Sequence, residues 1–256
     1  MIYDCFPFFN ELDLLEIRME ELWDVVDKFV ITEAITTHRG DSKNLYYLRN
    51  KKRYEKYQDK IIYLEVKNLP RSDQAWIAEN LQRNYFRNVI KYKDDDTFLI
   101  SDADEIPKAS TLQSLNLHKT TFYKLSMSMH YYYVNYMAVK PWSGTIIISG
   151  DRLRKEMPST LRWSRKDQGE SVDDGGWHFS FLGSPSEIRK KIKSYAHKEY
   201  DDDQIHNDKH IISCMEKGKD IFNRGIEFTL NNDLPLPKYL TDNRDKFSRL
   251  FYKSQQ

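Results

Sequence analysis

Asp102 and Asp104, one residue apart in the run TFLISDADEIP from Thr97 to Pro107, are the side chains with the clearest claim to chemistry. Two carboxylates this close repel each other and resist burial unless a cation neutralises them. A divalent metal is the simplest such cation. Oxygen-only ligands favour Mg²⁺ or Mn²⁺ over zinc, and these ions complete their shells with water and substrate phosphates. The spacing therefore points to a metal-bridged phosphate ester, with a solvated acidic turn as the plain alternative.

The elements that must hold this pair follow from the apolar patterning. Phe98, Leu99 and Ile100 make the residues before the acids a buried strand, and Pro107 stops its ladder. Upstream, residues 2–9 read as a strand, Asn10 as the cap of a helix, and Leu12, Leu15, Met19, Leu22 and Val26 as that helix's apolar stripe. Residues 28–34 and 61–66 read as further strands, and residues 45–57 as a helix with a basic face. Over residues 73–92 a helical pattern puts Ile77, Leu81, Tyr85 and Val89 on one side and Glu79, Gln82, Arg83 and Phe86 on another. Strands alternating with helices predict an α/β fold with a mostly parallel, right-handed sheet, whose ligand crevice lies at the carboxyl ends of the strands. Beyond Pro107, residues 120–129, 131–136 and 145–149 predict an antiparallel β extension with an aromatic face. Residues 151–171 read as a charged, mobile loop, and residues 186–197 and 208–218 as C-terminal helices.

Composition narrows the function. The 256 residues suit a single domain, and 40 Lys and Arg against 39 Asp and Glu give no general attraction to nucleic acid or to an anionic membrane. Basic runs at 49–56 and 189–198 read as solvated helix faces. The 17 Tyr, 13 Phe and 5 Trp exceed the needs of an ordinary core and leave rings for ligands such as sugars. Cys5 and Cys214 stand far apart without a C-x-x-C context, which favours a reduced interior over a disulfide scaffold. The N-terminus lacks the basic and apolar regions of a signal peptide, no stretch reaches eighteen apolar residues, and there is no N-x-S/T sequon. These features predict a cytoplasmic protein without a transmembrane segment, or a catalytic part separated from its anchor.

Taken in order, DCFPFFNELDLLEIRMEELWDVVDKFVITEA, the W-x-x-E-x-x-Q-R-N run from Trp76 to Asn84, LISDADEIP, GGWHFSFLG and the S-Y-A-H-K-E-Y run from Ser194 to Tyr200 resemble glycosyltransferase family 17, on the GT-A plan. The resemblance implies a Rossmann-like sheet whose nucleotide-binding half is 1–107 and whose acceptor-binding half is 108–256. It implies a UDP-sugar donor, most often UDP-GlcNAc, and inverting transfer to a glycan or glycolipid hydroxyl. A Mn²⁺ or Mg²⁺ ion would neutralise the leaving diphosphate.

For the nucleotide sugar the resemblance singles out Phe6, Pro7, Glu33, Arg83, Asn84, Asp102 and Ala103. Arg83 could equally pair with Glu79, Glu33 could be an ordinary strand-end acid, and Asp102 could face ribose rather than metal. The metal set is Asp102, Asp104 and His178, with His197 as a second choice and with a buried, hydrogen-bonded histidine as the other reading of His178. Asp201, Asp202 and Asp203 with His206 and His210 read as a capped helix start more than a site. Asp173 and Asp174 are the candidates for the base that inversion requires, because the glycines after them admit close backbone approach. Trp142, Trp177 and Tyr132 are the acceptor candidates, or else packing for the β extension. Two other classes stand against the transferase. A D-x-D-x-T phosphohydrolase would want Thr where Ile106 stands, and a non-catalytic carbohydrate-binding protein would not need the acidic pair.

Overall fold

The computed structural model of the chain describes residues 1–70, 75–117, 122–194, 203 and 205–253. It opens with β1 (Ile2–Phe8), α1 (Leu12–Leu22) and β2 (Lys28–Ala34). Leu15, Met19 and Leu22 of α1 pack on Phe6, Phe8, Phe29 and Ile31, the spacing expected of an amphipathic helix laid on a sheet. Asn10 is not its cap; Glu11 holds that position and makes no side-chain capping bond. Instead of one basic helix, the next segment is a short α2 (Tyr46–Arg49) followed by a 3-10 stretch over Lys51–Lys60. Three buried tyrosines explain the break: Tyr47, Tyr54 and Tyr57 all turn inward, and the Tyr54 hydroxyl donates to the Leu12 carbonyl at 2.7 Å. Anchoring those rings against α1 outweighs helical regularity.

After β3 (Ile61–Val66) come α3 (Ala75–Asn84), a 3-10 turn over Tyr85–Asn88, β4 (Thr97–Ile100) and, farther on, α4 (Ala109–Ser114). Strands β3, β2, β1 and β4 lie side by side and parallel, so their carboxyl ends meet at one edge of the sheet. Beyond β4 the sheet turns antiparallel through β8 (Trp142–Ser149), β6 (Tyr123–Tyr131), β7 (Tyr133–Ala138) and β11 (Phe228–Leu230). The remaining strands attach to this extension. β9 (Glu170–Val172) and β10 (Gly176–Ser180) pair parallel with β6, and β10 also runs antiparallel to β5 (Glu105–Pro107). The fold is thus α/β, with a parallel first half and an antiparallel extension, as the alternation of elements implies.

Phe6, Phe29 and Leu99 face α1, whereas Cys5, Val30, Phe98 and Ile100 face Phe86, Leu153 and Leu161 on the opposite side. Both faces of β1, β2 and β4 are therefore covered, which is why they read as mostly apolar runs. Two further features depart from the sequence reading. The segment expected to be a mobile loop folds as α5 (Gly150–Lys155) and α6 (Pro158–Ser164), and α6 packs along α3. On α3 itself the inward side is the polar one. Gln82 and Arg83 are buried, while Ile77, Leu81, Tyr85 and Val89 face out. Gln82 donates to the Thr32 carbonyl at 2.8 Å and Arg83 to the Ser101 carbonyl at 3.2 Å, so the interior offers these polar groups partners that the apolar side chains would not satisfy. The C-terminal region supplies α7 (Pro185–Ser194), α8 (Asp208–Lys217) and α9 (Lys238–Asp242). Among the described residues no helix is long and apolar enough to cross a membrane.

Candidate active site

A cavity of about 340 Å³ opens at the carboxyl ends of β1, β2 and β4, and Pro7, Arg83, Asp102, Ala103, Asp104, Trp142 and His178 all line it. These positions are spread from residue 7 to residue 178, and only the sheet topology brings them together. A larger, more open groove of about 810 Å³, bordered by Tyr133, Glu216, Arg249 and Tyr252, contains none of the expected site residues.

The acids of the D-A-D-E turn already have cations. Asp102 accepts from Arg83 at 2.7 Å on one oxygen and from Arg162, on α6, at 3.0 Å on the other. Asp104 accepts from Lys191, on α7, at 2.7 Å. Glu105 is fully buried and accepts from Arg162 and from the Trp142 indole, both at 2.7 Å. Beneath the turn Arg18, also fully buried, forks onto Asp4 and donates to the Asp102 and Glu105 carbonyls at 3.1 and 2.5 Å. Asp4, Asp102, Asp104 and Glu105 are thus matched by Arg18, Arg83, Arg162 and Lys191. Burial by itself would raise the Asp102 pKa, but the adjacent Arg83 and Arg162 charges outweigh it and hold the group well below the usual carboxylate range. Lys191 behaves in the mirror sense: burial alone would lower it, and Asp104 followed by Glu11 raises it above the ordinary lysine value. Burial lowers the pKa of His38, across the cavity.

This pairing decides which residues fit a divalent metal. Asp102 does not, because both its oxygens are engaged by guanidinium groups. Asp104 and His178 do: Asp104 Oδ1 faces His178 Nε2 at 3.6 Å, too far for a hydrogen bond, and His178 Nδ1 is buried without a hydrogen-bond partner. Among the described residues no group of three or more His, Cys, Asp or Glu side chains converges on one point. Two protein ligands suit an ion of the Mg²⁺ or Mn²⁺ kind, which takes the rest of its shell from water and phosphate.

The other expected site residues lie elsewhere. Phe6 turns towards α1, with the Arg18 guanidinium 4.2 Å from its ring centre. Glu33 is buried and satisfies the start of α2, accepting the Tyr46 and Tyr47 backbone N–H groups, the Tyr63 hydroxyl at 3.1 Å and Lys43 at 3.5 Å; burial raises its pKa. Asn84 ties α3 to α6 by exchanging hydrogen bonds with Ser159 at 3.0 and 2.8 Å. Asp173 and Asp174 are exposed and outside the cavity lining, and Asp174 pairs with Lys108. The glycines after them serve packing. A Cβ on Gly176, whose φ is +134°, would sit 2.1 Å from the Ile106 carbonyl oxygen, so the close approach is between β10 and β5.

Alternation along β10 sends His178 and Ser180 to the cavity and Trp177 to the opposite face, where it packs with Leu14, Ile17 and Ile106 and donates to the Pro235 carbonyl at 2.6 Å. Tyr132 is fully buried and donates to the Lys219 carbonyl at 2.6 Å. Neither can meet an acceptor. His197, Asp201 and Asp202 fall outside the described residues, and His210 is engaged by the Ile221 carbonyl at 3.0 Å.

Sequence reasoning passed over Arg18, Arg162 and Lys191. Arg162 lay in the stretch read as a loop and Lys191 in a basic run read as solvent-facing. Arg18 carried a signal, a lone cation among the buried positions of α1, where an unpaired charge is costly.

The sequence model of glycosyltransferase family 17 matches residues 1–252. The chain belongs to this family. It is 25% identical to the beta-1,4-mannosyl-glycoprotein 4-beta-N-acetylglucosaminyltransferase of Rattus norvegicus over 94% of its own length and 52% of that protein. The Homo sapiens protein of the same name is 24% identical, over 94% of this chain and 53% of its own. The chain therefore spans about half the length of the curated relatives it matches. Among solved structures, a 4-diphosphocytidyl-2C-methyl-D-erythritol synthase aligns with 67% of this chain and 88% of its own at TM-score 0.37 and 7% identity. An active-site mutant of LgtC aligns with 72% and 73% at TM-score 0.37 and 11% identity. In this member of glycosyltransferase family 17 the acidic turn lines the cavity described above.

Proposed function

We propose that this glycosyltransferase moves N-acetylglucosamine from UDP-GlcNAc to a hydroxyl of a glycan or glycolipid acceptor, with inversion, using Mn²⁺ or Mg²⁺. The observation that carries the reading is the convergence, in one cavity at the carboxyl ends of parallel strands, of two phosphate-seeking cations, Arg83 and Lys191, with the Asp104–His178 pair. That set suits a diphosphate. The choice of N-acetylglucosamine draws on the name of the curated relatives. Asp104 and His178 would hold the ion, which when bound supplies charge neutralisation to the leaving diphosphate.

The chain's own residues divide the remaining work. Arg83, held between Glu79 at 3.0 Å and Asp102 at 2.7 Å, presents a fixed positive charge at the cavity wall. Trp142, fixed by Glu105 and 4.8 Å from the His178 ring centre, offers a face to a sugar. Of the cavity carboxylates among the described residues, Glu79, Asp102 and Asp104 each have a cation within 3.0 Å, whereas Glu11 has Lys191 at 3.6 Å. Glu11 Oε2 accepts the Phe9 and Asn10 backbone N–H groups at 3.2 and 3.0 Å, which leaves Oε1 as the carboxylate oxygen best able to accept the acceptor's proton, in place of Asp174.

Screening UDP-sugars for slow metal-dependent hydrolysis identifies the donor before the acceptor is known. Asp104→Ala abolishes Mn²⁺-dependent UDP binding, and the reading fails if calorimetry finds equal affinity with chelator present. Asp174→Asn retains both UDP binding and turnover; loss of turnover alone would return the base to that loop.

A further inference from the structure

Six of the eleven large apolar side chains exposed among the described residues belong to two adjoining helices: Ile77, Leu81, Tyr85 and Val89 on α3 and the turn after it, and Met157 and Trp163 at the two ends of α6. Each is 38–50% exposed. The helices are fastened together by the Asn84–Ser159 hydrogen bonds at one end and by Trp76 against Trp163, ring centres 5.7 Å apart, at the other. Side chains of this size, half exposed, leave on the order of 500 Å² of apolar surface, at the upper limit of what monomers tolerate.

The pattern along α3 says what covers it. Ile77 and Leu81 of α3, Tyr85 of the 3-10 turn after it and Val89 at that turn's end recur every four residues and are all exposed, and Asn80, Asn84 and Asn88 recur at the same interval. No charged residue interrupts this α3 strip, although 31% of the chain is charged; on the α6 side of the face Lys166 lies 5.2 Å from the Trp163 ring centre. A strongly acidic or basic partner finds no complement there. Two copies of the strip, by contrast, can meet about a two-fold axis without opposing like charges. A patch of that area with its amide rim approaches the roughly 800 Å² per partner of a stable interface. We infer that the α3–α6 face is a homodimer interface in which α3 crosses α3 of a second copy. The inference is independent of the catalytic reading, because none of the six side chains lines the cavity.

Sedimentation of the full chain tests it. The wild type runs at twice 30.7 kDa and dissociates on dilution, and its Tm rises with protein concentration. Leu81→Glu, an exposed position, keeps the helical signal but weakens association by about 100-fold or more. Cys5 and Cys214 are both buried, so Leu81→Cys adds the one accessible thiol; it forms a disulfide-linked dimer under mild oxidation, whereas Val139→Cys, 89% exposed and away from this face, does not. A wild type that is monomeric at its highest soluble concentration overturns the inference, as does a Leu81→Glu variant that dimerises equally. Monomers that float with phospholipid vesicles through this face would also overturn it and assign the face to a lipid surface.

Discussion

Lys191→Met separates two quantities that a merely structural change would move together. Lys191 Nζ lies 2.7 Å from Asp104 and 3.6 Å from Glu11, so at an effective dielectric of about 20 the gross attractions are roughly 6 and 5 kcal/mol. Desolvation and side-chain ordering cancel most of this, leaving the roughly 1.5–3 kcal/mol typical of a charge-assisted hydrogen bond. Methionine keeps the aliphatic stem and removes the ammonium. Without it, Asp104 is released to a divalent ion and the repulsion between two cations disappears, so Mn²⁺ binding in the absence of nucleotide strengthens by about tenfold. The diphosphate meanwhile loses a partner, and UDP affinity at saturating Mn²⁺ falls by about 10- to 100-fold. Electron paramagnetic resonance titration of free Mn²⁺ and calorimetry of UDP measure the two separately. If both affinities fall together, or neither changes, Lys191 does not share Asp104 with the metal.

Asp102→Asn lowers stability by about 2 kcal/mol in urea, since it leaves the buried Arg83 and Arg162 one anionic partner short, while Mn²⁺ affinity changes by less than about threefold. Loss of Mn²⁺ binding at unchanged stability would return Asp102 to the metal set. Burial lowers the His130 pKa to about 4 from 6.5, against a hydrogen bond to the Val134 carbonyl. The unfolded chain therefore takes up this proton first as pH falls. The stability contribution is complete above the unfolded value and is lost by about 3 kcal/mol as pH falls to the folded one. His130→Gln flattens the urea-midpoint profile over that window, and an unchanged slope would show that another group is responsible.

The parallel half of the fold was legible because it is local. Strands buried on both faces are mostly apolar runs, and α1 announces itself through Leu15, Met19 and Leu22. The antiparallel extension was legible in outline for the same reason. α3 misled because periodicity reports that apolar residues share a side but not which way that side faces. Gln82 and Arg83 turned inward because the cavity and the ends of β2 and β4 supplied partners for them.

The amino-acid sequence by itself determined the α/β plan, the family, and the need for positive charge at Asp102 and Asp104. Like charges one residue apart require that charge once they are buried at a strand end. Only the tertiary structure decided who supplies it. Arg162 and Lys191 lie 60 and 87 residues from their acids, on helices whose approach to the turn is set by packing against α3 and α8 rather than by any local spacing. The pairing of β10 with β5 and β6 turned Trp177 into the core, because register decides to which side a strand residue points, and the turn between β9 and β10 left Asp174 in solvent.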